Sequence, residues 1–488
     1  MTAAIESQVL ENRPAEAHQI SGSKLLSGAA SLSASQVARR AFRTAFLLLA
    51  ARVLGPEVFG LYVLLLTVTE ILALVSGGGF GDYLTREVAK NPKLAAQLLF
   101  RITQLRLVYL MFLAAILIPG LSLLKYSPSV LVNAALLSLT LLPRAVVESS
   151  QGIIRAMHRF VSVFWIEMLQ GTVLLGAGAF LLFQGRGLRG IIWAEISSVL
   201  LGAAVALPVA LRLSPDRAQE VSGWRQRIRE TFAFNLYPLI VNTYDRVDVI
   251  LLSKLVGNTA VGIYSLPYRA FAALSILPSG IMGTLLPSLA RSSWGQDERK
   301  RCGMTMQLLY AAALFLILGT LLLADTAVHF VLGRDYQGSA IVLKILVWAT
   351  VPTFLNSALN TFLLARKKER VFLLTASICT VVNVTANLLL IPRYSYIAAA
   401  SVTILTELVL LGQNVVLVHK LLGYVPLPRR ALRNSLAFAA TLVLAHEALR
   451  FLTALSVGPI VLGTFAVYLY AANRILWPAG REDTVCAA

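Results

Sequence analysis

The chain has 488 residues, of which 57% are hydrophobic and only 14% charged, and its mean hydropathy is +0.74. A soluble globular chain carries about 25% charged residues. This one has too little polar material to cover its own surface, which excludes a water-soluble enzyme and equally a disordered or fibrous protein. The formal net charge of +19 admits nucleic acid or a membrane as partner, and the placement of the basic residues decides between them. Cys302, Cys379 and Cys486 stand apart, with no C-x-x-C and no nearby histidine. No disulfide framework, metal site or redox pair is expected.

Residues 1–24 are polar, with Glu6, Glu11, Arg13 and Glu16, and lack the basic-then-apolar build of a signal peptide. A membrane helix needs about 20 mostly apolar residues. Such windows run over 27–53, 60–80, 97–120, 130–150, 161–184, 188–211, 231–254, 260–289, 303–324, 338–365, 371–391, 394–419, 432–450 and 453–473. His446 and Glu447 interrupt the thirteenth and Gly458-Pro459 the fourteenth, so twelve spans with a variable C-terminal pair fit as well. The windows are continuous apolar runs without period-2 alternation, which excludes a β-barrel. The expected fold is an all-α integral membrane bundle of about fourteen helices.

The loops after even-numbered spans hold most of the basic residues. The loop after span 6 carries Arg212, Arg217, Arg225, Arg227 and Arg229, and the one after span 10 carries Arg366, Lys367, Lys368 and Arg370. Odd-numbered loops hold scattered bases such as Arg52, Lys125, Arg334 and Arg393. Positive charge marks the cytoplasmic side, so both termini are expected there in a multi-pass inner-membrane protein. The net charge then reports topology and contact with anionic lipid, and no nucleic acid is needed. Every loop is short, the longest being the basic 212–230 linker, which leaves no room for an extramembrane catalytic domain.

Arg52-Val-Leu-Gly55-Pro-Glu-Val-Phe-Gly60-Leu-Tyr62 returns as Lys254-Leu-Val-Gly257-Asn-Thr-Ala-Val-Gly262-Ile-Tyr264, with the base, both glycines and the tyrosine in register. A weaker match sets Phe180–Arg186 against Leu388–Tyr394. The two matches imply lobes of six spans each, over 25–211 and 231–420, followed by a helix pair over 421–475 and a cytoplasmic tail over 476–488. Six is even, so the lobes share orientation, and the cleft between them suits rocking between inward-open and outward-open states.

Ionisable groups at bilayer depth cost about 2.5–3.5 kcal/mol each and face water or a partner. Span 1 carries Arg39, Arg40 and Arg43 within about 100° of one helix face. Arg43 lies about 18 Å below the Gly55-Pro56 end, while Arg39 and Arg40 are placed to snorkel to the headgroups. Span 7 carries Asp245, Arg246 and Asp248, and span 8 carries Arg269. The alternative for these is a structural salt bridge from Asp245 or Asp248 to Arg269. Arg144 and Glu148 are spaced to pair with each other. Glu70, Glu167, Glu195 and Glu407 stand as lone acids, any of which could carry a coupling proton. The asparagines Asn356, Asn360, Asn383 and Asn387 suit helix–helix hydrogen bonding. Gly77-Gly78-Gly79, Pro267, Pro278, Pro287 and Pro352 mark expected kinks that could act as hinges.

The stretch Arg52–Tyr62 with Gly79-Phe-Gly-Asp-Tyr-Leu-Thr-Arg86-Glu, then Arg246-Val-Asp248, Lys254–Arg269 and Asn387-Leu-Leu-Leu-Ile-Pro392, resembles the polysaccharide-exporter or O-antigen flippase family. That family sits in the multidrug/oligosaccharidyl-lipid/polysaccharide exporter superfamily. The resemblance implies a fourteen-helix, two-lobed fold and translocation of a polyprenyl-diphosphate-linked oligosaccharide to the outer leaflet. It also implies that Arg43, Arg246 and Arg269 meet the diphosphate; from the intramembrane charges themselves, Arg39 and Arg40 join the candidate cavity cations, and Asp245, Asp248 and Glu70 are candidate coupling or structural acids. Lipid-linked glycan, membrane lipids, glycan polymerase and export machinery are the expected partners. No cofactor or catalytic residue is expected, and no G-x-x-x-x-G-K-[ST] phosphate loop occurs in the chain. The alternatives are a drug/cation antiporter, which would want acids rather than arginines in span 1, a membrane glycan polymerase or ligase, and a non-transporting scaffold.

Overall fold

The computed structural model describes residues 22–77, 79–214, 246–291, 296–366, 369–425 and 433–442. Among them there is no strand. The helices are α1 (Gly22–Gly77), α2 (Phe80–Lys90), α3 (Ala95–Leu123), α4 (Pro128–Ser138), α5 (Leu141–Ala156), α6 (Phe160–Phe183), α7 (Gly187–Leu213), α8 (246–255), α9 (Asn258–Leu274), α10 (Ile276–Arg291), α11 (Gln296–Leu332), α12 (Gln337–Leu346), α13 (Thr350–Ala365), α14 (Glu369–Leu422) and α15 (433–442). Nine stretches of the described residues are long and apolar enough to cross a bilayer. Leu123, Phe183, Phe330 and Leu389 are each more than 70% exposed, which suits side chains turned toward lipid. The chain is a multi-pass membrane protein. The expected fourteenth span, the second half of the thirteenth and most of the seventh lie outside the described residues, as do the tail before residue 22, the 215–230 linker and Asp245.

Proline explains where the long spans break. It lacks an N–H and its ring crowds the carbonyl four residues back. The fourth window, expected as one helix, divides into α4 and α5 at Leu139-Thr140, four residues before Pro143. The eighth divides into α9 and α10 at Ser275, just before Pro278. The tenth becomes α12 and α13, joined by a 3-10 turn at Val347–Ala349 that holds the carbonyl facing Pro352. The glycine run does not kink span 2 but ends it: Gly79 has φ 81° and turns the chain into the amphipathic α2, which buries Tyr83, Leu84 and Val88.

The two longest helices are hairpins. The α1 backbone is non-helical at Gly55, φ 72°, a left-handed value that glycine adopts without a Cβ clash. Along a straight helix Phe46 and Tyr62 would stand about 24 Å apart, yet their ring centroids are 6.4 Å apart. The arms before and after Gly55 therefore lie side by side and account for spans 1 and 2. In α14 the break is at Ser395, φ 52°, and Asn383 donates to Thr406 at 3.2 Å across the returning arms. Positions paired by the sequence repeat share backbone geometry. Gly257, opposite Gly55, also has positive φ, at 123°, and Gly187, opposite Ser395, has φ 54°.

Small residues set how closely helices cross. Glycines 171 and 178 of α6 lie against the rings of Phe42 and Phe46 on α1. At the Gly55/Gly257 end, Gly60 of α1 faces α9 and Gly262 of α9 faces α1. A Cβ at Gly60 would lie 1.8 Å from the Asn258 oxygen, and one at Gly262 would lie 2.0 Å from the Pro56 oxygen. Here a single apolar core joins residues from both halves of the chain, including Phe46, Phe59, Tyr62, Leu252, Val261, Tyr264, Tyr336 and Ala399. Hydrogen bonds from Tyr336 to the Ala51 carbonyl at 3.0 Å and from Arg52 to the Phe330 carbonyl at 3.2 Å tie the same end.

At the opposite end the cores are separate. One is built from α2, α3, α5, α6 and α7, around Leu84, Leu98, Ile153 and Ala206. The other is built from α10, α11, α13 and α14, around Met306, Leu309, Phe354 and Phe362. The helix bundle is thus closed by shared packing at one end and divided at the other. Because the α1–α9 crossing meets backbone rather than flexible side chains, Gly60→Ala and Gly262→Ala are each expected to destabilise by about 1–3 kcal/mol. Gly280→Ala, where a Cβ meets nothing within 4 Å, serves as the control. Thermal midpoints of the three purified variants in detergent check this.

Candidate functional site

Arginines 43, 246 and 269 come to one level of the bundle. Each lies eleven or twelve residues from Gly55 or Gly257, about 17–18 Å along its helix from the closed end. Arg43 comes from the first arm of α1, Arg246 from α8 and Arg269 from α9. Arg269 is within electrostatic range of Arg43, Tyr62, Glu195 and Tyr268, and Arg246 is within range of Arg269, Tyr268 and Asp248. The site therefore draws on both halves of the chain.

The three cations differ in what holds them. Arg43 donates from Nη1 to Glu195 of α7, and the Tyr62 hydroxyl donates to the same carboxylate oxygen. Arg246 donates to Glu70 on the second arm of α1, an ion pair that bridges the two halves. Arg269 is half-buried, and among the described residues no hydrogen bond or ion pair engages it. Beside it, Tyr268 stacks on Tyr264 with centroids 5.5 Å apart.

Of the two acids expected to pair with Arg269, Asp248 does otherwise. The Asp248 carboxylate accepts from the Tyr264 hydroxyl at 2.5 Å and from the Val249 amide at 2.7 Å. Asp245 lies outside the described residues. Tyr62 and Tyr264, equivalent in the repeat, thus play parallel parts: each is fully buried and each donates to a carboxylate. Glu70, read as a possible coupling acid, is the partner of Arg246.

Below this level the first half carries a further set of charges. Arg39, whose side chain is 59% exposed, lies 3.7 Å from Glu167, which also accepts from Gln151 at 3.1 Å. Arg40 is exposed. Arg39, Asp82, Gln151, Arg155 and Glu167 line a polar pocket of about 230 Å³ between α1, α2, α5 and α6. Glu148 bonds Arg144 at 3.1 Å as expected, and also Arg106 at 2.6 Å. Arg106 was not legible as a site residue. It is 2% exposed, donates to the Ala145 carbonyl and Ser149, and fills the space a Cβ on Gly77 would need, 2.0 Å away. Its one sequence signal is a base in the middle of the third window, five residues after Arg101.

In the second half a buried polar network replaces charge. Asn356 donates to both the carbonyl and the carboxylate of Glu407, and Asn414 donates to Asn356. Asn387 donates to Asn383. Of the four expected asparagines, Asn356 joins helices through Glu407 and Asn414, and Asn383 joins the two arms of α14 through Thr406, while Asn387 bonds within its own arm.

Residues 25–293, more than half of the chain, match the family model described as polysaccharide biosynthesis protein. The chain belongs to that family. No curated protein sequence gives a significant match. Among solved structures this family member is similar to the lipid II flippase MurJ in an inward closed conformation, with a TM-score of 0.72 and 14% identity over 91% of this chain and 98% of that one. It is similar to an inward-facing multidrug resistance MATE family transporter of the MOP superfamily, with a TM-score of 0.63 and 13% identity over 78% and 95%. A MOP superfamily transporter from Pyrococcus furiosus, described as having a binding pocket of reverse polarity, gives 0.56 and 14% over 86% and 96%. This polysaccharide biosynthesis protein therefore has the fold of membrane flippases and exporters.

The Arg106–Glu148 pair tests how such charges are held. Arg106 is buried while Glu148 is 38% exposed, so Glu148→Gln, which leaves a buried guanidinium without its carboxylate, is expected to cost about 1–3 kcal/mol. Arg144→Ala removes a partner that is 39% exposed and should cost about 1 kcal/mol or less. Thermal unfolding of both variants in one detergent checks the difference.

Proposed function

We propose that this chain flips a polyprenyl-diphosphate-linked oligosaccharide from the cytoplasmic to the outer leaflet, with Arg269, Arg43 and Arg246 receiving the diphosphate. The observation that carries the reading is a half-buried guanidinium at Arg269, unengaged among the described residues, with two further arginines at its own depth. A diphosphate cannot cross hydrocarbon bare, because desolvating its charges costs many kcal/mol. Arginines in a cleft replace that hydration with charge-assisted, bidentate hydrogen bonds. The polyprenyl tail stays in lipid at the side of the cleft.

The two lobes are 25–211 and 231–420, and the helix pair over 421–475 adds to them. With the basic loops on the cytoplasmic side, both termini are cytoplasmic, and the Gly55/Gly257 end faces outward. The shared core then closes the outer end, and the separate cores leave the bundle divided toward the cytoplasm, the state that admits a substrate made there. Rocking of the lobes about the α1–α9 crossing exchanges the two openings. Arg39 and Arg40 line the path from the cytoplasm. Glycan polymerase and export machinery are the partners that would act on the flipped product. A cation exporter would want open acids at this level, whereas Glu70 and Glu195 are each held by an arginine and Asp248 by the Tyr264 hydroxyl and the Val249 amide.

The test is a leaflet assay in reconstituted vesicles, with a labelled polyprenyl-diphosphate oligosaccharide whose sugar is trimmed only from outside. Protein-dependent loss of the protected inner pool is expected. Arg269→Ala should slow that loss about ten- to a hundredfold, the effect of losing a charged hydrogen bond. An inner pool untouched by folded protein, or full activity in the Arg269→Ala, Arg43→Ala and Arg246→Ala variants alike, would contradict the proposal.

A further inference from the structure

The closed end of the bundle is held by more than shared apolar packing. Two pairs of polar contacts cross it, and the sequence repeat relates one pair to the other. We propose that these are reciprocal clasps, each a base and a tyrosine reaching between the halves, which hold the outer end shut and part together when the bundle opens outward. The inference rests on the reading that the halves rock about the α1–α9 crossing, and it names the residues that set the resting state.

In the first clasp Arg52, at the end of the first arm of α1, donates to the Phe330 carbonyl of α11 at 3.2 Å. The Tyr336 hydroxyl, from the turn that follows α11, donates to the Ala51 carbonyl at 3.0 Å. In the second clasp Lys254 of α8 donates to the Leu124 carbonyl at the end of α3, and the Tyr126 hydroxyl, from the turn that follows α3, donates to Ser253 Oγ at 3.5 Å. Arg52 and Lys254 occupy the same place in the repeat, and Ala51 and Ser253 each stand just before the base. The helices reached, α3 and α11, are the third spans of their halves. Each clasp thus joins the first span of one half to the end of the third span of the other and to the tyrosine beyond it.

Helix ends explain why cations serve here. The last carbonyls of a helix have no N–H above them, and the helix dipole makes that end negative, so a base is favoured there. Both third spans end at a left-handed residue, Lys125 with φ 56° and Gly333 with φ 91°. The turns direct their own amides to earlier carbonyls: Tyr126 and Lys125 donate to Leu121 and Ser122, and Gly333 donates to His329. Leu124 and Phe330 lie beyond those, and their carbonyls are the ones that the opposite half supplies with a base. Lys254 also lies 5.2 Å from the centroid of the Tyr126 ring, within cation–π range.

All four contacts run from one half to the other, so they contribute to the closed outer end and not to the folding of either half alone. Both bases are exposed, which makes each contact weak and lets water replace it when the halves part. Arg52 lies about 13 Å beyond Arg43 along the same arm, so the clasps set the resting bias without touching the arginine level. Contacts present in only one of two states shift the balance by their own worth when removed. A cap that served its helix in both states would lower the thermal midpoint and leave the balance as it was.

The experiment measures distances between spin labels in the full-length protein in detergent, with Cys302→Ala, Cys379→Ala and Cys486→Ala as background. One label pair spans the closed end, at the exposed positions Val132→Cys in α4 and Ala327→Cys in α11, and a second spans the divided end, at Ala89→Cys in α2 and Met304→Cys in α11. Arg52→Ala or Lys254→Ala alone should raise the long-distance population at the closed end about three- to fivefold, and the two together about ten- to twentyfold, since the contacts are separate. Lys254→Arg keeps a cation at the same carbonyl and should match wild type. Tyr126→Phe combined with Tyr336→Phe should shift the distances in the same direction, and stands as the second test where the double alanine variant fails to fold. Unchanged distances in the double alanine variant, or equal shifts in Lys254→Arg and Lys254→Ala, would overturn the clasps. A closed end that lengthens while the divided end keeps its distance would uphold the clasps and overturn instead the rocking on which their role rests.

Discussion

A guanidinium held at bilayer depth must be given either water or an anion, because bare charge in hydrocarbon is unaffordable, and this requirement organises the bundle. Arg43 is given Glu195, Arg246 is given Glu70, and Arg106 is given Glu148 with a carbonyl and a hydroxyl. Each pair ties two elements remote in sequence, α1 to α7, α1 to α8 and α3 to α5, so the charges fix which helices are neighbours as well as where the polar interior lies. Arg269 follows no such rule among the described residues. Its freedom marks the position where an anion from outside the chain completes the set.

The remainder of the architecture determines what that set can reach. Glycines at 60 and 262 let α1 and α9 cross backbone to backbone, and one core runs through both halves there. Beyond the arginine level the halves keep separate cores. A tightly packed crossing at one end and independent packing at the other is the mechanical arrangement a rocking carrier needs. The crossing acts as the joint while the free ends move as rigid units, since close-packed cores resist continuous deformation. Binding at the arginine level, between joint and opening, then couples ligand charge to the spacing of the halves.

Much of this was legible in sequence because it is local. Apolar windows gave the spans, and the repeated Gly-Tyr motif gave the hairpin ends, since a positive φ at Gly55 and Gly257 is a property of single residues. Helix periodicity and rise placed Arg43 at depth. Long-range pairing was not legible. Nothing near Glu195 in the chain points to Arg43, and Glu148, read from its spacing as the partner of Arg144, also holds Arg106 from a different helix. The purpose of the second glycine in each repeat was hidden for the same reason. Gly60 and Gly262 read as conserved spacing within the motif, whereas in the fold they are two sides of one contact. The proline breaks fell between these cases: Pro278 and Pro352 were read as kinks and Pro143 was not, and the division of three spans into separate helices required the backbone.

The most direct measurement is an experimental structure of the full chain bound to a polyprenyl-diphosphate-linked oligosaccharide. The account predicts phosphate oxygens within about 3 Å of the Arg269 guanidinium, at the level of Arg43 and Arg246, with the tail leaving between helices into lipid. A substrate whose phosphates rest at the membrane surface or elsewhere in the bundle, with Arg269 untouched, would contradict it.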